Sequence, residues 1–249
     1  MSDWFVEQLR LTVFPTQDLR EPDPNWWTKV VGQSPDTKTI QKGAALREGG
    51  AIRDGYCNLS LEIQISRIDW LMTPIIKADA PVSGFPVFDR VGGALKVFRD
   101  LLEPWLKVPP AMRRLALGTV LVSPVENKVD GYKKIARFLP AVKLDPENST
   151  DFTYSINRPR RSSNLRELTI NRLCRWSVAQ LKGIQVQIEA PGTRMAVVDT
   201  GGDWSALRAE LDVNTAAERN DVIPSDRILA IFVELLAFVE EISEKGDIP

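Results

Sequence analysis

Between Leu59 and Ser66 the chain alternates without a break, with Leu59, Leu61, Ile63 and Ile65 set against Ser60, Glu62, Gln64 and Ser66. A period of two sends successive side chains to opposite faces of a strand. This segment therefore has one buried and one solvated face, and the chain must supply both antiparallel neighbours and a covering layer. The same signal recurs at Leu9, Leu11 and Val13, which alternate with Arg10, Thr12 and Phe14 before Pro15 stops the strand. Residues 114–122, bounded by Pro124, read as a further strand. So do residues 151–158, 167–179, 184–189, 195–199 and 206–213, punctuated by Lys182-Gly183, Pro191-Gly192 and Gly201-Gly202. Residues 37–72 read as a hairpin with Gly49 and Gly50 in its connection, and residues 73–93, rich in Pro and Gly, read as a loop.

Helical signals fall between these strands. Asp23 and Pro24 suit the start of a short helix ending at Val31, with Gly32 as its C-terminal cap. A second helix is expected from Ala94 to Glu103, with Leu95, Phe98 and Leu102 on one side and Pro104 ending it. Asp130 is a candidate N-cap for a third, which buries Ile135, Ala136 and Leu139. The last helix, Asp226 to Glu244, is the most apolar: Ile228, Ile231, Phe232, Leu235, Phe238, Val239 and Ile242 fall at helical spacing, and Leu229 and Leu236 widen the stripe. Such a helix lies between two layers or turns half its surface to a second copy, so Ile228, Ile231, Phe232, Leu235, Leu236, Phe238 and Val239 are interface candidates. The fold class expected is α+β, with antiparallel meander sheets packed against helices. Residues 1–110 and 111–249 can each be written strand, helix, strands, helix, as two similar halves or one compact domain.

Composition removes whole classes of chemistry. None of the 249 residues is histidine, which excludes Ser-His-Asp and Cys-His nucleophile systems, HExxH zinc sites and imidazole acid–base pairs. It also leaves no side chain whose ordinary pKa lies near 6.5. Cys57 and Cys174 stand far apart and form no knuckle. No metal and no cofactor is expected. The net charge is -1, so nucleic-acid binding would need a local basic patch. The longest apolar run, Ile228 to Val239, is interrupted by Glu234 and is far short of a bilayer span. Met1 to Arg10 lacks a signal-peptide core. The expected location is the cytoplasm, with no membrane partner.

Three constellations compete with bland readings. Val197-Val198-Asp199-Thr200-Gly201 resembles the Asp-Thr-Gly signature of aspartic proteases, but that mechanism needs two aspartates sharing a proton, and the same residues suit a tight turn. Asp54 with Glu62 and Gln64 resembles a degenerate PD-(D/E)xK nuclease core, with Gln64 where a lysine belongs. Glu62 and Gln64 also occupy the polar side of an alternating strand, where solvated residues are expected anyway. Arg158, Arg160, Arg161, Arg166, Arg172 and Arg175, set against the single Glu167, form an arginine-rich segment that reads as an exposed loop able to grip phosphates or an acidic partner. Trp26, Trp27 and Trp70 read as core or interface aromatics rather than a ligand groove.

The strand Arg113 to Val122, the Leu211-Asp212-Val213-Asn214 strand end and the closing apolar helix together resemble a sporadically distributed family of uncharacterised bacterial proteins of about this length. The resemblance implies an α+β fold and a mobile-element or defence setting, and it transfers no catalytic residue. The function expected is that of a non-catalytic interaction or assembly protein, an accessory component acting as a homodimer or within a larger complex. Nucleic-acid binding through the arginines, and a degenerate metal-dependent nuclease at Asp54 and Glu62, are the alternatives.

Overall fold

The computed structural model describes residues 3–20, 25–41, 45–76, 83–188, 195–218 and 221–249. Eleven strands, β1 (Phe5–Pro15), β2 (Thr37–Gln41), β3 (Ala45–Ile52), β4 (Cys57–Gln64), β5 (Arg67–Thr73), β6 (Asp89–Arg90), β7 (Met112–Val125), β8 (Thr153–Asn157), β9 (Arg160–Arg161), β10 (Thr169–Ile188) and β11 (Met195–Thr215), form one sheet. Four helices accompany them: α1 (Trp26–Val31), α2 (Val91–Leu106), α3 (Lys128–Ile135) and α4 (Ser225–Lys245). The protein is α+β, with an antiparallel sheet packed against helices.

The strand order is β2-β3-β4-β5-β1-β7-β11-β10-β8, with β6 added on β1 and β9 on β10. The two opening strands, β1 and β7, pair at the centre, from Phe5 opposite Val122 to Pro15 opposite Met112. Outward from each lies another strand, β5 beside β1 and β11 beside β7, and the helices α2 and α4 pack on one another. Strands from residues 1–110 and from residues 111–249 thus lie in one sheet.

All four helices cover one face. The alternating residues Leu9, Leu11 and Val13 of β1, Leu59, Leu61 and Ile63 of β4, Trp70 and Met72 of β5, and Leu115 and Leu117 of β7 are buried beneath them. Indole rings fill the space between the layers. Trp26 and Trp27 of α1, Trp70 of β5 and Trp105 of α2 interlock, with Trp70 5.7 Å from Trp105 and 6.5 Å from Trp27. Trp4, Phe138 and Trp176 form a second cluster, Phe138 stacked on Trp176 at 5.4 Å. The tryptophans that read as core residues in the sequence are core residues.

Several glycines and a proline that punctuate the sequence do not end its elements. Gly49 and Gly50 lie inside β3, and the reversal is made by residues 53–56, where Arg53, Asp54 and Gly55 all adopt positive φ. Gly50 leaves room for a side chain instead: a Cβ there would sit 2.6 Å from the Asp36 carboxylate, which accepts a hydrogen bond from Ala51 N–H. Lys182-Gly183 and Gly201-Gly202 are also in-strand. The register steps from Lys182 opposite Asp203 to Ile184 opposite Asp199, so residues 200–202 bulge against Gly183, and two long strands replace four short ones. The proposed turn at Pro191-Gly192 and the cap at Asp23-Pro24 lie outside the described residues. Gly32 caps α1 in the left-handed conformation, φ 81°, as expected.

Pro104 sits within α2, which runs on to Leu106 because Trp105 and Leu106 are buried in the core and hold the final turn. The cap of α3 is Asn127, whose side chain accepts from Asp130 N–H, while Asp130 accepts from the Asn127 amide. Asp130 is thus the partner of the cap rather than the cap itself.

Candidate binding surface

The seven interface candidates of α4 are consumed by the chain itself. Ile228, Ile231, Phe232, Leu235, Leu236, Phe238 and Val239 are between 0% and 8% exposed, packed on α2, β7 and β11. Of the two roles the apolar stripe suggested, the helix lies between layers. A second copy could not reach these side chains without unfolding the helix from the sheet.

The arginine-rich segment is largely spoken for in the same way. Arg158 makes a two-pronged pair with Asp247 through Nε and Nη2, both at 2.9 Å, and Tyr154 O–H donates to the same carboxylate at 3.1 Å. Arg160 reaches Glu241 at 3.0 Å and an oxygen of Pro249 at 3.1 Å. Arg172 is 2% exposed; its Nε donates to the Arg158 carbonyl at 2.8 Å and its Nη2 to the Ile248 carbonyl at 3.3 Å. Arg160 and Arg172 both lie over the Phe238 ring. Glu234 collects Ser162 O–H, Ser163 N–H and O–H, and the Asn164 amide. Residues 158–164 are therefore fastened to α4 and its tail rather than forming a free loop, and of the six arginines only Arg161, Arg166 and Arg175 are exposed.

The electrostatics of this clamp follow from its bonds. The hydrogen bond from Arg158 leads in holding the Asp247 carboxyl below its ordinary value, and it outweighs burial. At Glu234 burial pushes upward, but the combined donors of Ser162, Ser163 and Asn164 win and the net displacement is downward. Burial pushes the Arg172 guanidinium down, yet a guanidinium remains charged at any physiological pH. The tail enters through Gly246, which has φ 77° and whose absent Cβ would lie 2.2 Å from the Phe138 carbonyl oxygen. Gly246→Ala should therefore cost more than about 1 kcal/mol, read as a fall in urea midpoint, and an unchanged midpoint would mean the tail reseats freely.

The nuclease candidates are not brought together. Asp54 is in the β3–β4 turn, where aspartate tolerates the left-handed backbone. Glu62 lies five residues past the start of β4, roughly 16 Å along the strand at ~3.3 Å per residue. It accepts from Gln64 at 2.7 Å and faces Asp69 and Arg47 across the ladder. Asp69 is taken by Thr12 at 2.6 Å and Arg67 at 2.7 Å. No group of metal-ligating side chains forms among the described residues. Asp199 belongs to β11, opposite Ile184, rather than to a turn. Both cysteine thiols are pushed up to about 12 by burial, which keeps them protonated and unreactive at neutral pH.

The other face of the sheet carries no helix among the described residues. Across its middle, cross-strand register aligns Arg10, Gly118, Asp212, Leu173 and Asn157 in one row. Gln8, Val120, Glu210, Arg175 and Ser155 form the next. Between them lies a hollow of about 300 Å³. Its floor is the bare backbone of Gly118, its walls are long polar side chains, and Leu173, 39% exposed, stands at the rim. In the sequence Arg175 belongs to the arginine-rich segment, and the other polar residues read as the solvated half of ordinary alternation. The one signal was a glycine in the interior of a strand, where it ordinarily weakens the strand.

Beyond Ala179 and Ser205, β10 and β11 pair with each other and, among the described residues, with no other strand. This two-stranded ribbon reaches Ile188 and Met195, with Val186 opposite Val197. No helix among the described residues is long and apolar enough to cross a membrane. No family model matches the chain, nor does any curated protein or solved structure.

Proposed function

We propose that the protein is a non-catalytic assembly protein, acting as a homodimer or within a larger complex, and that it docks through the β10–β11 ribbon rather than through α4. One observation carries this reading: among the described residues, the ribbon leaves the body of the sheet with both outer edges unpaired along residues 180–188 and 195–204. Its sequence there, Ile184-Gln185-Val186-Gln187-Ile188 against Met195-Ala196-Val197-Val198, is rich in strand-forming apolar residues. An isolated two-stranded ribbon is marginal in water, and unpaired edges of this kind recruit further strands. A second copy offers the same edge in return, as a two-fold interface requires. The arginine reading is weaker because Arg158, Arg160 and Arg172 are bound within the chain. The mobile-element or defence setting remains part of the proposal through the resemblance alone.

Sedimentation equilibrium tests the assembly. The intact chain should behave as a dimer, and a Val186→Lys, Val197→Lys double variant as a monomer with unchanged circular dichroism. An intact chain that stays monomeric at every concentration removes the self-association reading.

A further inference from the structure

We propose that the hollow on the uncovered sheet face is a binding site for a small organic acid that also carries a hydrogen-bond donor, such as a hydroxy acid. Three observations converge on it. First, Arg10 lies in the middle of β1 with its Nε buried and without a hydrogen-bond partner among the described residues, and neither it nor Arg175, on the opposite wall, has an ion pair among them. A buried guanidinium N–H left unmade is costly, and its planar fork matches a carboxylate or phosphate. The neighbouring acids do not fill the need: Glu210 is paired with Arg208, which also meets Glu7.

Second, Gly118 has no backbone reason to be glycine. Its φ is not positive, and a Cβ there would meet nothing nearer than Arg10 Cβ at 3.8 Å. What the missing side chain provides is the floor of the hollow, with room for roughly ten waters at ~30 Å³ each. Third, the lining is balanced in charge. Asp212, which accepts from the Asn214 amide at 3.0 Å, stands in the same row as Arg10, and Glu210 in the same row as Arg175. A polyphosphate or a nucleic-acid strand would bring its charges against those two carboxylates. A small acid can instead place its anion on Arg10 and a hydroxyl against Asp212, which accepts the hydrogen bond. The site is independent of the ribbon and of any assembly made there.

Calorimetric titration with L-malate, inorganic phosphate and ethanolamine decides the matter. L-Malate should bind the intact chain, at least about tenfold more weakly to Arg10→Gln, since one charge-assisted hydrogen bond is worth that factor, and not at all to Gly118→Val. The second variant keeps a β-branched residue in a strand and should retain the intact chain's circular dichroism and melting temperature, which separates a filled hollow from a lost fold. Arg161→Ala, remote from the hollow, should bind as the intact chain does. Absence of any heat with L-malate, or binding that survives both Arg10→Gln and Gly118→Val, overturns the site. Phosphate binding as tightly as L-malate overturns the role given to Asp212, and ethanolamine binding in place of L-malate overturns the acid specificity.

Discussion

Replacing Trp70 with alanine should lower the free energy of unfolding by about 3–5 kcal/mol, the cost of emptying a large aromatic site in a packed core. Trp70 is fully buried on β5 and touches both Trp27 of α1 and Trp105 of α2, while Trp105 in turn contacts Trp26. One ring thus joins the sheet to two helices, and its loss leaves a void between them. The same argument holds the last turn of α2 in place past Pro104. For a chain of this size the loss should appear as a fall in melting temperature of roughly 10 °C, with reduced near-ultraviolet circular dichroism from the remaining indoles. A cost under about 1 kcal/mol would show that α1 and α2 are held by other contacts.

The second large effect is expected at Asp247. Its side chain is 4% exposed and it accepts from Arg158 and Tyr154, beside the buried Arg172. Asp247→Ala should cost about 3 kcal/mol, the lower end of the range for removing one member of a buried pair, because Arg158 itself is partly solvated. The pH dependence has a definite sign. The folded-state pKa of Asp247 is depressed below its unfolded value, so its contribution is fully present above about pH 4 and is lost as pH falls through the folded value. Glu234, also depressed, adds to the same acid phase. Urea unfolding at neutral pH and near pH 3 should show a steep loss in the intact chain and a shallower one in Asp247→Ala. Equal slopes would remove Asp247 from the acid transition.

What the sequence shows of this fold depends on how local each determinant is. The alternation from Leu59 and the helical spacing of α4 are written in adjacent residues, and both elements form there, although β4 stops at Gln64 and leaves Ile65 exposed in the turn. Gly49, Gly50, Gly183 and Gly201 look like turn residues, but cross-strand pairing with distant segments overrides local preference and carries the strand through them. Arg158, Arg160 and Arg172 look free because their partners, Asp247 and Glu241, lie far along the chain. The hollow around Gly118 was equally hidden. Its walls come from five strands, and only their register reveals that a glycine, two arginines and two carboxylates meet.

The order of the sheet also bears on how the chain is made. Among the described residues β11 follows the other ten strands in the chain, yet it lies inside the sheet between β7 and β10. Until the ribosome has delivered it, β7 keeps one open edge and the β8–β10 pair has nothing to join. The sheet is not completed strand by strand from the N-terminus, and the nascent chain carries the open edge of β7 from Val125 until β11 has been delivered. A strand of such high contact order closes slowly. Premature termination between β10 and β11 would therefore release a sticky fragment rather than a smaller working copy.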